Sequence, residues 1–465
     1  MSIRFRRFLY FFLLLLFAIV APTLVLYTSG YRMDWNTRRL YKTGLLLVEY
    51  LPKDATFSID GEVYDMRSPA HINGLSPRSY LLRVSKEGYT PWEKRLWIPE
   101  GITTFLKHII LFQTPTIAHT EPIDMMTTAF GATRLPLVAF ISSSHATSTI
   151  ALNDPEKTRF LQYQRKEGAQ HFLWSPHNER LLLTEQQTSG GTNGMIIDPS
   201  RGTDDPRVVQ SLDDITPLPL TNITWDLGRD DLLYAYTREG DASWLLALNI
   251  QKQTFERTLI PDESFGLSYE GGENRLALLV PETPEKTSVV LRAFAPEKES
   301  LERRVTLEGN ATDLSFLGKH QHLLTVLDKN KKMLYLIERA PRGESPITEV
   351  FSNVNDAAWS PNEQRLIWWN EYEVWLWDLQ QNIKERLTRT KDVLHNVLWY
   401  PSSEYIFLQT ETSVTVLELD GRDRRNEFEF TSADAIQNIG VNQEGTWLWM
   451  IATRDGKKNI EWYAL

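Results

Sequence analysis

Few side chains in this 465-residue chain are spaced for chemistry. His320 and His322 flank Gln321, and a metal ion needs a larger cluster of ligands than one such pair. The glycine-rich SGGTNG at 189–194 precedes a strand-like run instead of a helix. It therefore has no helix N-terminus with which to hold phosphate, and it reads as a loop between strands. The acidic pairs Asp204-Asp205, Asp213-Asp214 and Asp230-Asp231 fall in predicted loops. They read as solubilising unless two converge in space for acid–base work. The chain has no cysteine, which excludes disulfides, thiol chemistry and a lipidated lipoprotein anchor. Gly-x-Ser-x-Gly, the strained turn that exposes a serine nucleophile, is absent. No catalytic, cofactor-binding or metal residue is assigned on these grounds, and the ligand-binding residues stay unknown.

The elements that could position a site come from a repeat. WSPNEQRLIWWN begins at Trp359, WSPHNERLLLTE at Trp174 and WYPSSEYIFLQT at Trp399. Weaker copies begin at Phe130, Trp225, Tyr269, Phe316 and Val441. The eighth position is apolar in every copy: Leu137, Leu181, Leu232, Leu276, Leu323, Leu366, Ile406 and Leu448. Each copy reads as strand, tight turn and strand, and two further strand-like runs follow it. A spacing of four such strands predicts the blade of a β-propeller. If the Trp-Ser-Pro turn joins the innermost strand to the second, those turns share one face. The longer segments 185–194 and 203–218 are then expected on the opposite face, where binding residues would gather. Aromatics at Trp368, Trp369, Trp375 and Trp377 read as core between blades, because a blade is covered on both faces.

The repeat resembles the WD40-like, TolB-type propeller family, whose turn is Trp-Ser-Pro-Asp-Gly. Here His177-Asn178, Asn362-Glu363 and Ser402-Ser403 stand for Asp-Gly. The resemblance implies a fold and leaves the role open. NQEGTW from Asn442 partly matches the Asp-box of sialidase propellers, but it lacks the aspartate and has no second copy.

Residues 1–27 are of another kind. The stretch 8–27 carries no charge and is long enough to cross a bilayer core of about 30 Å as a helix. Arg4, Arg6 and Arg7 precede it, which keeps the N-terminus in the cytoplasm and sends the rest across. Arg32, Arg38, Arg39 and Lys42 follow it and weaken the asymmetry. A cleaved signal peptide is the alternative. Its apolar run would be unusually long, and Pro22 would follow the candidate cleavage point at Ala21. Residues 28–43 read as a juxtamembrane linker whose cations either rest on lipid headgroups or are solvated.

Residues 44–112 read as a small β-sandwich of five or six strands, with a hairpin turn at Asp60-Gly61. Its landmarks are Pro52 and Ala55 around Lys53-Asp54, Ile59-Asp60-Gly61, Ser68-Pro69, Leu75, Pro77, Tyr80, Lys86, Gly88 and Tyr89. In that order they resemble a PEGA domain, although Lys53-Asp54 replaces the eponymous Glu-Gly and Arg78 a glycine. The resemblance implies an extracytoplasmic, non-catalytic module of bacterial surface proteins.

The expected fold class is all-β with one N-terminal transmembrane helix, a PEGA-like sandwich, and a propeller over 113–465 of eight blades, or seven if the Phe130 copy is false. Closure is expected from the strand-like stretch 114–122 pairing beside NIEWYAL at the C-terminus. Residues 1–113 carry 15 Lys/Arg and 9 Asp/Glu, net +6; the remainder carries 35 and 51, net −16. An acidic propeller is a poor nucleic-acid partner. The expected function is a membrane-anchored, non-enzymatic binding scaffold of the bacterial envelope, its propeller holding a protein, a peptide or an envelope polymer. The alternatives are a propeller hydrolase of glycans or peptides and a structural spacer.

Overall fold

In the computed structural model the described residues are 3–34, 39–122, 129–131, 138–144, 147–153, 163–166, 170–175, 180–186, 191–198, 209–226, 229–260, 266–270, 275–293, 302–310, 314–317, 323–338 and 347–465. The chain divides into two compact units. The first holds Met1–Thr114 together with Glu418–Glu427, and the second holds Pro115–Leu417 with Phe428–Leu465.

The first unit begins with helix α1 (Ile3–Thr28). Its stretch Phe5–Thr28 has the length and composition to cross a membrane, as an anchor or as a signal sequence. A two-stranded hairpin follows, β1 (Tyr31–Asp34) against β2 (Arg39–Lys42), where the sequence alone suggested a linker. Seven strands then build the sandwich: β3 (Gly44–Leu51), β4 (Thr56–Ile59), β5 (Glu62–Tyr64), β6 (Ala70–Leu75), β7 (Arg78–Ser85), β8 (Trp92–Ile98) and β9 (Thr103–Ile110). One sheet has the order β6-β3-β9, with β3 and β9 parallel, and the other β5-β4-β7-β8. Seven strands exceed the five or six read from the pattern. β6 (AHINGL) escaped because His71, Asn73 and a left-handed Gly74 (φ 80°) dilute its alternation. Alternation elsewhere is clean: Leu46, Val48 and Tyr50 point in from β3, and they meet Leu82, Val84, Leu96 and Ile98 in one core.

Among the described residues, the second unit contains eight four-stranded antiparallel sheets. Seven are continuous in sequence, spanning 129–166, 170–211, 221–260, 266–308, 314–352, 356–389 and 396–432. The eighth joins both ends of the unit. β10 (Ile117–Pro122) pairs beside Lys457–Ala464, with Thr120 opposite Glu461 and Pro122 opposite Asn459. The expected closure by 114–122 is therefore present. The first strands lie side by side at 170–174 and 221–225, 221–225 and 266–270, 266–270 and 314–317, and 396–399 and 435–441, and Ala129–Gly131 lies beside Ala435–Val441, which brings the first sheet round to the last. This is a β-propeller closed by the two ends of the unit, an arrangement in which Ile117–Pro122 covers the edge of Lys457–Ala464.

Between neighbouring sheets the interior is dry. Leu327, Leu334 and Leu336 of one sheet pack with Leu366, Trp368 and Trp377 of the next. Trp368 stacks on Phe351 at 4.2 Å and on Trp375 at 6.3 Å. Of the tryptophans after the sixth turn, Trp368, Trp369 and Trp377 are core, as their place on two-faced strands implies, and Trp375 is half-buried against them.

Candidate functional site

Each repeat turn joins an innermost strand to the second. Asp356–Trp359 leads through Ser360 into Arg365–Trp369, as the pattern predicts. Three positions of the repeat build a clasp to the neighbouring sheets. The first-position indole reaches backward. Trp225 Nε1 donates to Leu173 O at 2.9 Å, and Trp399 Nε1 donates to Ala358 O at 3.0 Å. Both acceptors immediately precede the first-position tryptophan of the previous copy. The second-position serine folds its own turn: Ser175 Oγ accepts from Arg180 N at 3.0 Å, and Ser360 Oγ from Arg365 N at 2.9 Å.

The seventh-position arginine reaches forward. Arg180 Nη1 donates to Asp230 O at 2.6 Å, and Arg365 Nη1 donates to Ser403 O at 2.8 Å and lies 3.0 Å from Glu404 Oε2. Each arginine also meets the aspartate that ends its own third strand, Asp198 at 3.8 Å and Asp378 at 3.0 Å. In the seventh copy Tyr400 replaces the serine and donates to Gly445 O at 2.9 Å in the next turn. Burial pushes the Tyr400 phenol up to about 12. A methyl group on Gly445 would meet that phenol oxygen at 2.5 Å, so the glycine is required by close approach. The turns that caught the eye in the sequence are thus structural. They fasten sheet to sheet.

Of the other sequence candidates, His320, His322, Asp204 and Asp205 lie outside the described residues. Gly194 sits in strand Thr192–Ile197, where an added Cβ would strike Leu212 Cδ1 at 2.3 Å; it serves packing. Asp213 and Asp214 lie in a one-turn 3₁₀ helix capped by Ser211. Asp231 pairs with Arg229 at 2.7 Å, and that hydrogen bond holds its carboxyl below the ordinary range. Asn442 organises its own turn, its Oδ1 accepting from Thr446 N and Trp447 N. Among the described residues no group of three metal-ligating side chains converges.

The long loop 203–218 is divided. Val209–Ser211 is an outermost strand, and the connection into it starts from the face of the Trp-Ser-Pro turns instead of the opposite one. Among the described residues of that loop, the part after Ser211 lies on the expected side, and 203–208 lie outside the described residues.

A second set of repeat residues was missed. Three residues before the first position stand Asn222, Asp356, Asn396 and Asn438, one on each of four innermost strands. Such a strand is hydrogen-bonded on one edge only, so its other edge turns to the ring axis. Amides on that edge have no strand to pair with, and three of these side chains fold back to take them. Asp356 Oδ1 accepts from Ala357 N at 2.8 Å, Asn396 Oδ1 from Val397 N at 2.9 Å and Asn438 Oδ1 from Ile439 N at 2.9 Å. Burial pushes the Asp356 carboxyl up; the Ala357 amide and the charge of Lys329 only partly offset this. On these four strands the position carries three amides and one carboxyl, whose pKa burial raises. The signal was present in TNITW, DAAW, NVLW and NIGV.

In the first unit the chemically unusual feature is a buried ion cluster. The Lys94 side chain has no solvent exposure, and its Nζ lies 3.0 Å from Glu418 Oε2 and 3.6 Å from Asp420 Oδ2. It also donates to Asp420 O at 2.6 Å. Trp92 Nε1 donates to Glu418 Oε1 at 2.9 Å, and Asn426 Nδ2 to Glu418 Oε2 at 2.7 Å. Burial would raise the Asp420 carboxyl, but hydrogen bonds from Arg422 outweigh it and hold it below the ordinary range. With every charge partnered, the cluster fixes Glu418–Glu427 within the sandwich unit and has no reacting group to offer.

Solved structures similar to the chain include a mitotic checkpoint complex chain (11% identity, 76% of this chain and 93% of that one, TM-score 0.42). A eukaryotic initiation factor gives 15% identity over 76% of this chain and 88% of that one, TM-score 0.47. A protein from Lactobacillus plantarum gives 13% identity over 62% and 92%, TM-score 0.38. No curated protein sequence matches the chain. The family match is local: residues 43–109, from the residue before β3 to the penultimate residue of β9, match the PEGA domain.

Proposed function

We propose that this chain is a membrane-anchored, extracytoplasmic binding protein of a bacterial cell envelope. In this reading α1 is a retained anchor, its N-terminus is cytoplasmic, and the propeller holds a protein, a peptide or an envelope polymer without breaking a bond. The arginines ahead of the span and the PEGA domain behind it support the topology.

The observation that carries the binding role is the ring of Asn222, Asp356, Asn396 and Asn438 on the innermost strands. Neutral amides both donate and accept, which suits a polar chain presented to the axis. Glycoside hydrolysis would instead use two carboxyl groups at a set separation, and Asp313, which holds the repeat position of Asp356, lies outside the described residues. The test is photo-crosslinking from Asn396→benzoylphenylalanine in envelope preparations. A discrete adduct, lost when Asn222, Asn438 and Asp356 are together replaced by leucine, supports the reading. Turnover of envelope glycans or peptides abolished by Asp356→Asn would replace it with the hydrolase. Neither adduct nor turnover would leave a spacer.

A further inference from the structure

The hairpin of β1 and β2 follows α1 after only two residues, and it is tied to the helix end at both strands. Arg32 Nη1 donates to Tyr27 O at 3.0 Å, and the guanidinium lies 3.8 Å over the Tyr27 ring. On the returning strand, Thr43 donates to Gly30 O from both its N and its Oγ1, each at 2.9 Å. Pairing puts Tyr31 opposite Lys42 and Met33 opposite Leu40. Alternation therefore gives one face Tyr31, Met33, Leu40 and Lys42, and the other face Arg32 and Tyr41. The second face is engaged with the rest of its unit, through Arg32 on Tyr27 and through Tyr41, whose hydroxyl is 3.1 Å from Ser76 Oγ. The first presents two apolar side chains outward: Met33 is 41% exposed and Leu40 58%.

Resting on the membrane-anchor reading above, we propose that this face lies on the bilayer surface, with Met33 and Leu40 in the headgroup layer. Three observations favour lipid over a protein partner. The face is continuous with the span. Met33 and Leu40 stand two residues from the hairpin base, about 7 Å along a strand. The polar layer on each side of the hydrocarbon is about 5–8 Å deep, so residues that close to the helix end fall within it. Lastly, the surrounding sequence is cationic, Arg32, Arg38, Arg39 and Lys42 against Asp34, which matches an anionic surface at about 1 kcal/mol per basic residue.

The absence of cysteine makes the test direct. Met33→Cys, Leu40→Cys, Phe17→Cys and Val63→Cys, each made separately in the full chain, carry one environment-sensitive fluorophore apiece. The proteins are reconstituted into vesicles of phosphatidylglycerol and phosphatidylcholine with nitroxide-bearing lipids. Blue-shifted emission quenched by headgroup and shallow-chain nitroxides at positions 33 and 40, but not at 63, is the expected result. Water-like, unquenched emission at 33 and 40 with quenching retained at 17 would overturn this proposal alone. Equal quenching at 63 would overturn it as non-specific adsorption. Loss of quenching at 17 as well would overturn both this and the anchor reading.

Discussion

The two units fasten separated parts of the chain in opposite ways. The propeller spreads small fastenings over its copies. First-position tryptophans reach back at Trp225 and Trp399, seventh-position arginines reach forward at Arg180 and Arg365, and apolar layers fill the space between. The first unit fastens its distant segment Glu418–Glu427 with a single, unrepeated cluster, in which Lys94 is buried against residues more than three hundred positions away in sequence. A repeated clasp distributes its contribution, so losing one copy is a local injury. A buried ion pair concentrates it, because one missing partner leaves a charge stranded without water.

That contrast orders the expected effects. The largest is at Lys94. Lys94→Ala should destabilise the first unit by about 3–5 kcal/mol, since Glu418 and Asp420 would remain buried without their cation. Hydrogen exchange should show β7 and β8 opening while the strands at 396–399 stay protected. Lys94→Met combined with Glu418→Gln should recover part of the loss. If the single variant is as stable as the parent, the cluster is not what holds this unit.

Next come the clasps. Arg365→Ala should cost about 1–3 kcal/mol by removing charge-assisted bonds to Asp378, Glu404 and Ser403 O. Arg180→Ala should behave alike, because it occupies the same repeat position. Denaturant unfolding of both would sharpen the comparison; very different values would break the idea of one reiterated device. Tyr400→Phe removes a single buried bond to Gly445 O and should cost about 1 kcal/mol in the same assay.

The smallest effect has the opposite sign. Burial raises the Asp356 carboxyl, so its folded-state pKa lies above the unfolded one. Its contribution to stability is then present in acid and is lost as pH rises through the folded pKa. Asp356→Asn mimics the protonated form and the Asn396 and Asn438 of other sheets. It should raise the melting temperature slightly at neutral pH, and the gain should vanish on acidification. A loss at neutral pH would mean that the charged form is needed.

The sequence made the propeller legible through its turns. Trp174, Trp359 and Trp399 set the register, apolar eighth positions such as Leu181, Leu366 and Ile406 confirmed it, and counting strands after Val441 located the closure. The clasp was visible but unread. Arg180 and Arg365 stand in plain register, yet a lone sequence does not say that a surface-like arginine spans two sheets. Asn222, Asp356, Asn396 and Asn438 were overlooked for a related reason: polar residues within apolar strands look like ordinary alternation until the unpaired inner edge is known. Nothing local announces the partnership of Lys94 with Glu418, since it joins positions that only the fold brings together.

The account turns on where the propeller stands relative to the membrane, and labelling of intact cells tests this most directly. Lys391, whose side chain is 92% exposed, becomes the sole thiol of the chain in Lys391→Cys. A membrane-impermeant maleimide should label that variant on intact spheroplasts as fully as after lysis. Labelling that requires lysis would place the propeller in the cytoplasm and contradict the account.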